Sequence, residues 1–554
     1  MAIYQQKVYE VVKKSVANNL DIPEFQREFI WDPEQVKLLA ESLYRNYPIG
    51  SFLLWNSSAY QEAKTAKGAA ASLWIVDGQQ RTTALCILLE QKPYWWPDAR
   101  DWNETLKRYD VMVNIFSKDD DRLEFARPNP VRQRDPSWIS IRDILKLNDS
   151  GDLVELEEKI FSAIPEEKIT SDLKRKVRSR LQRLWQIRER DIPTIEIEHE
   201  VEDVAEIFAR LNQAGTRVKE ADVVLALAAV RNPGWVRGKY LPFRDDLEDR
   251  GWDLDAGIYV RTMTGIHVGR ARLLEVPETF WKPESFPSIW KKTEQTIREV
   301  IKKLQEYGLL SAKLLPSANS LIPLFVLHAK FHDTQEYNFG EALKWFLLAN
   351  WDGRYSGSAI TTLNEDTKTI YNAKTFSEAI NKLSEGLRIQ DKLKAEDFLV
   401  RYDRAGNRFQ RLLLYLLLFR NGATDWVDGT RIGYDVTENK LNEGFEPQWH
   451  HIFPRNVLKK SGRSDDDIHM LANITVLTST TNCGKINRRP PAEYILHFRI
   501  EPDVLRKHLI PPEFIVTYNN IISVWDVKNY DDFLLARAEF LAKIGNEFLN
   551  ELAS

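Results

Sequence analysis

Between Val8 and Glu90 the chain alternates short apolar runs with helical stretches, and only a few folds accommodate that alternation. Val8 to Leu20 has a helical pattern, and Ile22 to Arg27 reads as a short extended segment. Asp32-Pro33 starts a helix running to about Asn46, with Asp as the cap and Pro at the first helical position. Phe52 to Trp55 and Leu73 to Val76 read as buried strands, with a polar, alanine-rich loop from Tyr60 to Ala71 between them. Thr82 to Glu90 reads as a helix. Strands joined by short helices predict an α/β domain. Asp110 to Ile115 and Pro193 to His199 read as further strands, with charged helices between them from Ile141 to Arg190. Val201 to Leu211 reads as a helix, Asn212 to Thr216 as a turn, and Glu220 to Val230 as an apolar helix. From residue 235 to 420 the pattern is almost entirely helical. The expected fold is therefore α+β and multidomain: an α/β domain over 1–230, a mostly helical connecting region over 231–400, and a separate C-terminal domain over 401–554.

The densest apolar run, Leu412 to Phe419, is bounded by Arg411 and Arg420. It falls well short of the about 20 residues a membrane span needs, so a buried helix and no membrane association are expected. Only two cysteines occur, Cys86 and Cys483, which gives neither a disulfide framework nor a C-x-x-C zinc site. The N-terminus lacks the charged and apolar regions of a signal peptide, and a cytoplasmic location is the expectation. A net charge of −4 argues against a protein that coats nucleic acid non-specifically. It leaves room for a local basic groove at Lys174 to Arg180, Arg183, Arg188 and Arg190, although a solvated helix accounts for that run equally well. Tyr94-Trp95-Trp96-Pro97 and Trp102 offer aromatic surface for stacking a base, or filling for a core.

Two short segments carry chemistry. In the first, Val76-Asp77-Gly78-Gln79-Gln80-Arg81-Thr82-Thr83 lies between a strand and a helix. Gly78 allows a tight turn, and the N–H groups at the helix start together with Arg81 make an anion site. Asp77 is placed to orient a ribose, a metal or Arg81, or else simply to cap the helix. In the second, Trp449-His450-His451-Ile452-Phe453-Pro454 is followed by Leu471-Ala472-Asn473-Ile474-Thr475-Val476-Leu477 and by Thr481-Asn482-Cys483-Gly484-Lys485-Ile486-Asn487. Phosphodiester hydrolysis needs a base near neutral pH and a cation on the developing charge. Histidine suits the first task, and a magnesium ion held by few protein ligands suits the second.

The first segment resembles the N-terminal domain of the GmrSD-type modification-dependent restriction endonucleases, which has a ParB-like, sulfiredoxin-like fold. The likeness spans about residues 5 to 230. It rests on Asp77-Gly78-Gln79-Gln80-Arg81, on Pro23-Glu24-Phe25-Gln26-Arg27 with Trp31, and on Phe208-Ala209-Arg210-Leu211-Asn212-Gln213-Ala214-Gly215-Thr216. The resemblance implies a domain that binds and hydrolyses a nucleoside triphosphate and gates DNA cleavage. Asp77, Gly78, Gln79, Gln80 and Arg81 would line the phosphate site, Gln26 and Arg27 would face it, and Asn212 and Thr216 would complete it. There is no G-x-x-x-x-G-K-S/T, so the nucleotide would not sit in a P-loop.

The second segment resembles the HNH, or ββα-metal, nuclease domain paired with that N-terminal domain. The shared pattern is H-H-I-F-P, then N-I-T-x-L, then N-x-x-I-N-x-x-x-P, over about residues 405 to 500. The resemblance implies that His451 is the general base and His450 a metal ligand. Asn473 would brace the hairpin and orient His451, Asn482 would be the second metal ligand, and Lys485 would contact the scissile phosphate. His450 stands where many relatives have an acidic ligand, and manganese or zinc would tolerate it better than magnesium. The reading is a nucleotide-regulated endonuclease that uses Mg²⁺, Mn²⁺ or Zn²⁺ on DNA, above all modified phage DNA, in bacterial antiviral defence. A homodimer or a defence-system partner protein would complete its partners. The rival readings are a nucleotide-dependent DNA-binding switch with an inactive nuclease site and a general nuclease toxin.

Overall fold

In the computed structural model Asp32 begins a helix, Pro33–Tyr44, where the Asp-Pro pair predicts one. Its side chain accepts from the Gln35 N–H at 2.9 Å, and the Gln35 side chain accepts from the Asp32 N–H at 2.9 Å, which satisfies two donors a bare helix end would waste. The structure describes residues 1–554 apart from 23–28, 57–72, 98–99, 118–122, 148–149, 200–206, 208–224, 226–227, 229–231, 233, 274–275, 358, 390–391, 436, 438–439, 487–488 and 554. The described chain divides into two units, Met1–Lys239 and Tyr240–Ser554.

The first unit opens with β1 (Ala2–Lys7), α1 (Val8–Val16), β2 (Leu20–Asp21), α2 (Pro33–Tyr44), β3 (Phe52–Asn56), β4 (Leu73–Asp77) and α3 (Gln79–Leu88). It continues with α4 (Trp102–Arg108), β5 (Met112–Asn114), β6 (Phe125–Ala126), β7 (Trp138–Ser140), α5 (Ile141–Leu145), α6 (Ser150–Ser162), α7 (Ser171–Trp185) and β8 (Asp191–Ile197). Five strands form one sheet in the order β1-β8-β3-β4-β2, and β6-β5-β7 form a small second sheet. The unbroken apolar run Phe52 to Trp55 follows from the position of β3 in the middle of the sheet, where both faces are covered. Phe52, Leu54 and Ile75 join the large core with α1, α2 and α3, while Leu53, Trp55, Trp74, Val76 and Ile197 form a smaller core on the other face.

β1 is a strand that the sequence pattern does not announce. Gln5, Gln6 and Lys7 are polar, and the segment gains its structure by antiparallel pairing with β8, from Ala2 opposite Glu196 to Lys7 opposite Asp191. The predicted extended segment Ile22 to Arg27 and the predicted loop Tyr60 to Ala71 lie almost wholly outside the described residues, as do Val201 to Leu211, Asn212 to Thr216 and Glu220 to Val230.

Much of the basic run on α7 holds the unit together. Arg178 donates twice to Glu157, at 2.8 and 3.0 Å, and Arg180 is buried and donates to the Ile115 carbonyl at 2.7 Å. Arg183 lies 4.4 Å over the ring of Tyr44. Trp95 and Trp96 are likewise buried, with Trp96 edge-on to Trp102 at 5.0 Å, so these two indoles fill the core.

The second unit is mostly helical and contains both the predicted helical region beyond residue 239 and the histidine segment. The apolar run Leu412 to Phe419 lies within the helix Arg408–Arg420, and every residue of the run is buried. Among the described residues no helix is long and apolar enough to cross a membrane. The histidine segment forms β9 (Gln448–His451), which pairs antiparallel with β10 (Ile474–Leu477). Short helices at Arg455–Lys460 and Asp465–Ile468 lie between these strands, and one turn of wide, π-type helix at Thr480–Ile486 follows β10. The helix Tyr530–Glu551 backs the pair through Arg537, a fully buried residue. Its guanidinium donates to the carbonyls of Ala472 at 2.8 Å, Ile474 at 2.7 Å, His508 at 3.1 Å and Leu509 at 3.3 Å.

Candidate active site

Successive side chains on a strand point to opposite faces, so His450 and His451 have different surroundings. His450 is buried opposite Thr475. Its Nδ1 lies 2.7 Å from Oδ1 of Asn482, and the Asn482 Nδ2 donates to the Trp449 carbonyl at 3.1 Å. With the amide nitrogen so engaged, Oδ1 is the acceptor and the His450 Nδ1–H donates to it. The Nε2 of His450 is buried and has no hydrogen-bond partner among the described residues. Trp426 stands edge-on to the ring at 5.5 Å. Burial pushes the His450 pKa down to about 4, so the ring is neutral at physiological pH and Nε2 carries a lone pair.

His451 is half-buried on the other face. Its Nε2 lies 3.0 Å from Nδ1 of His469, and Tyr402 stands edge-on to it at 5.6 Å. Burial, with His469 and His450 close by, pushes its pKa down to about 3. Asn473 is fully buried just before β10. Its Oδ1 accepts from the Phe453 N–H at 2.8 Å, and its Nδ2 donates to the carbonyls of Phe453 and Ile468, each at 3.1 Å. These bonds brace the chain just past β9, whereas the ring partner of His451 is His469. Lys485 is exposed on the wide turn.

Three further residues hold this framework, and none stands out in the sequence. Asp425 is buried and accepts from the Thr481 hydroxyl and the Thr478 N–H, each at 2.7 Å, fixing the start of the turn that carries Asn482. Burial alone would raise its pKa, but these bonds and those from the Asp428 and Val427 N–H groups bring it below the ordinary value. His508 is fully buried, with Nδ1 2.7 Å from the Thr475 hydroxyl and Nε2 2.7 Å from the Thr424 carbonyl. Arg537 clamps the strand from behind. Each reaches at least one partner in a distant part of the chain, and only tertiary packing reveals that contact.

An imidazole and an amide oxygen, donors of a kind a divalent cation accepts, lie side by side here, bonded to each other through the Nδ1 proton, and the buried Nε2 without a partner is on the far side of the ring from Asn482. Among the described residues no group of three or more His, Cys, Asp or Glu side chains is placed to hold a metal ion.

In the first unit Gly78 begins α3 with φ of 108°, and a Cβ there would come within 2.6 Å of Phe52 Cδ1. No side chain caps this helix, and Asp77 bonds instead to Arg81, whose Nη2 donates to Asp77 Oδ2 at 2.8 Å. Arg81 also donates to the Ile49 carbonyl at 2.7 Å, and its guanidinium lies 5.2 Å from the Phe52 ring centre. Gln80 accepts from the Ile30 N–H at 2.9 Å, and Gln79 is buried. Asp77 thus holds Arg81 in this structure. Gln26, Arg27, Asn212 and Thr216 lie outside the described residues.

Residues 8–229 match the family described as GmrSD restriction endonuclease, N-terminal domain. Over 537 residues the chain is 21% identical to an uncharacterized protein of Methanocaldococcus jannaschii, covering 88% of this chain and 86% of that one. The family match supports a restriction endonuclease-like role, with nuclease activity and DNA as the substrate, and its matched residues end before the histidine segment.

Proposed function

We propose that the chain is a nucleotide-regulated, metal-dependent DNA endonuclease that cuts modified phage DNA in antiviral defence. The first unit would be a ParB-like nucleoside triphosphatase using Gln26, Arg27, Asp77, Gly78, Gln79, Gln80, Arg81 and Asn212. The second would carry an HNH-type nuclease centre. The observation that supports this best is the approach of His450 Nδ1 to Asn482 Oδ1 at 2.7 Å, next to a histidine held on the opposite face of the same strand.

Each residue then has a separate task. His450 and Asn482 would hold a divalent ion in place of the proton between Nδ1 and Oδ1, with the ring proton moved to Nε2, and the bound ion would supply positive charge against the phosphate. Neutral His451 would accept the proton of the attacking water. The negative charge of a bound phosphodiester raises the basicity of His451 from its low resting value. Asn473 keeps the chain after β9 in place, and Lys485, exposed on the wide turn, would meet the substrate backbone.

Supercoiled-plasmid cleavage with Mg²⁺, Mn²⁺ or Zn²⁺, using modified and unmodified DNA with and without nucleoside triphosphate, tests this reading. Cleavage that survives His451→Ala would overturn the assignment of the base. A second reading, a nucleotide-dependent DNA-binding switch without cleavage, is favoured by one observation: neither proposed metal ligand is a carboxylate. Nucleotide-dependent DNA binding with no cutting under any of the three metals would establish it instead.

A further inference from the structure

We infer that His469, with Asp465 behind it, is a positioning residue that fixes the tautomer of His451 so that its Nδ1 carries the free lone pair. The inference rests on the nuclease reading for its functional meaning, but the proton positions can be measured without it.

A line of polar groups leads to His451. Its Nε2 faces His469 Nδ1 at 3.0 Å, and His469 Nε2 faces Asp465 Oδ1 at 3.7 Å. Asp465 is held from the far side by Arg401, whose Nη1 lies 3.3 Å from Asp465 Oδ2 and 2.7 Å from Asp466 Oδ1. The backbone of His469 is also fixed, since its carbonyl accepts from the Tyr402 N–H at 3.0 Å. His469 itself is buried.

Two neutral imidazoles facing each other share one proton, and either can be the donor. The carboxylate decides between them. If His469 donated from Nδ1, its Nε2 lone pair would face the negative oxygen of Asp465, which is repulsive. If instead His469 carries its proton on Nε2, that N–H faces the carboxylate and Nδ1 becomes an acceptor. His451 must then donate from Nε2, which leaves its Nδ1 bare. The bond at one ring nitrogen thus sets the protonation of the other. Nδ1 of His451 has no hydrogen bond among the described residues, so the lone pair created there is available. His469 does not act on substrate; it acts through His451.

The experiment uses the full chain, labelled with ¹⁵N in histidine and free of metal, at a pH where the imidazoles are neutral. Nitrogen chemical shifts report which ring nitrogen of His451 carries the proton, and a His451→Gln variant assigns the signal. The expected result for the wild type is protonated Nε2 and bare Nδ1. In His469→Leu the His451 ring should show a mixture of tautomers, while His469→Asn, which keeps an acceptor oxygen near the place of Nδ1, should restore the single form. In cleavage assays His469→Leu should lower kcat by about 10- to 100-fold with little change in KM, the usual size of effect for a partner that orients a reacting histidine. A proton on Nδ1 of His451 in the wild type, or an unchanged His451 signal in His469→Leu, overturns the inference. Plasmid cleavage that survives His451→Ala overturns the assignment of His451 as the base instead, and absence of cleavage by the wild type overturns the nuclease reading; both leave the tautomer result standing.

Discussion

Asp425 accepts a hydrogen bond from the hydroxyl of Thr481 at 2.7 Å, so a buried carboxylate anchors the turn whose next residue is Asn482. The same carboxylate takes the Thr478 N–H through its other oxygen. Asp425→Ala should leave these donors unpaired in the interior, at a cost of about 1–3 kcal/mol for each buried group stranded. Urea denaturation should show that loss, and cleavage should fall further than the stability change explains because Asn482 is no longer fixed. Asp425→Asn, which keeps one acceptor, should lie between wild type and Asp425→Ala in both assays.

His508 makes the second unit sensitive to acid. In the neutral ring its Nε2 donates to the Thr424 carbonyl and its Nδ1 accepts from the Thr475 hydroxyl. Burial depresses its pKa from the ordinary 6.5 to about 3. Between those values the unfolded chain binds a proton that the folded chain refuses, so this contribution to stability is complete above pH 6.5 and declines as the pH falls toward 3. Urea midpoints measured from pH 8 down to pH 4 (assay conditions, about two units either side of the usual imidazole range) should fall below 6.5. His508→Leu should be less stable at the upper end but show a shallower slope, and an unchanged slope would contradict this account.

Arg537 should tolerate neither loss of charge nor loss of shape. Arg537→Met strands four carbonyls in the interior, and the expected loss is about 3 kcal/mol or more. Arg537→Lys keeps the charge but not the planar fork that reaches carbonyls on both sides, so it should also be destabilised. Thermal unfolding of the two variants measures both losses, and a Lys variant with wild-type stability would refute the requirement for the fork.

Arg81 is already engaged by Asp77, Ile49 and the face of Phe52. Arg81→Ala should abolish nucleoside triphosphate turnover, and calorimetric titration should show nucleotide binding weakened as well. Gly78→Ala should cause a comparable defect without removing a charge, because a side chain at that φ is strained and its Cβ would press on Phe52. Normal turnover in both variants would move the nucleotide site elsewhere.

The parts of the fold legible in the sequence were those that local chemistry decides. Asp32-Pro33 marks the start of α2 because capping involves neighbours, and Phe52 to Trp55 reads as a strand because it is apolar on both faces. β1 could not be read in this way, since its polar residues become a strand only through pairing with β8. The candidate site divides similarly. His450 and Asn482 are found from a motif, and the structure brings them together. His469 sits in a polar stretch beside Asp465, Asp466 and Asp467, with no local sign that it reaches His451. Arg537 lies in an ordinary helical sequence, and nothing next to it indicates that its partners are backbone carbonyls some thirty and sixty residues away.

The pairing of β9 with β10 has a consequence for how a working molecule is made. A slip of one residue between these strands would turn the imidazole of His450 toward the surroundings of His451, and the reverse, while leaving a similar hydrogen-bond ladder. Such a chain could fold and remain silent. Arg537, by holding the carbonyls of Ala472 and Ile474 at the entry to β10, fixes one strand of the pair in place, so the histidine faces depend on how β9 aligns against a template that the helix Tyr530–Glu551 supplies.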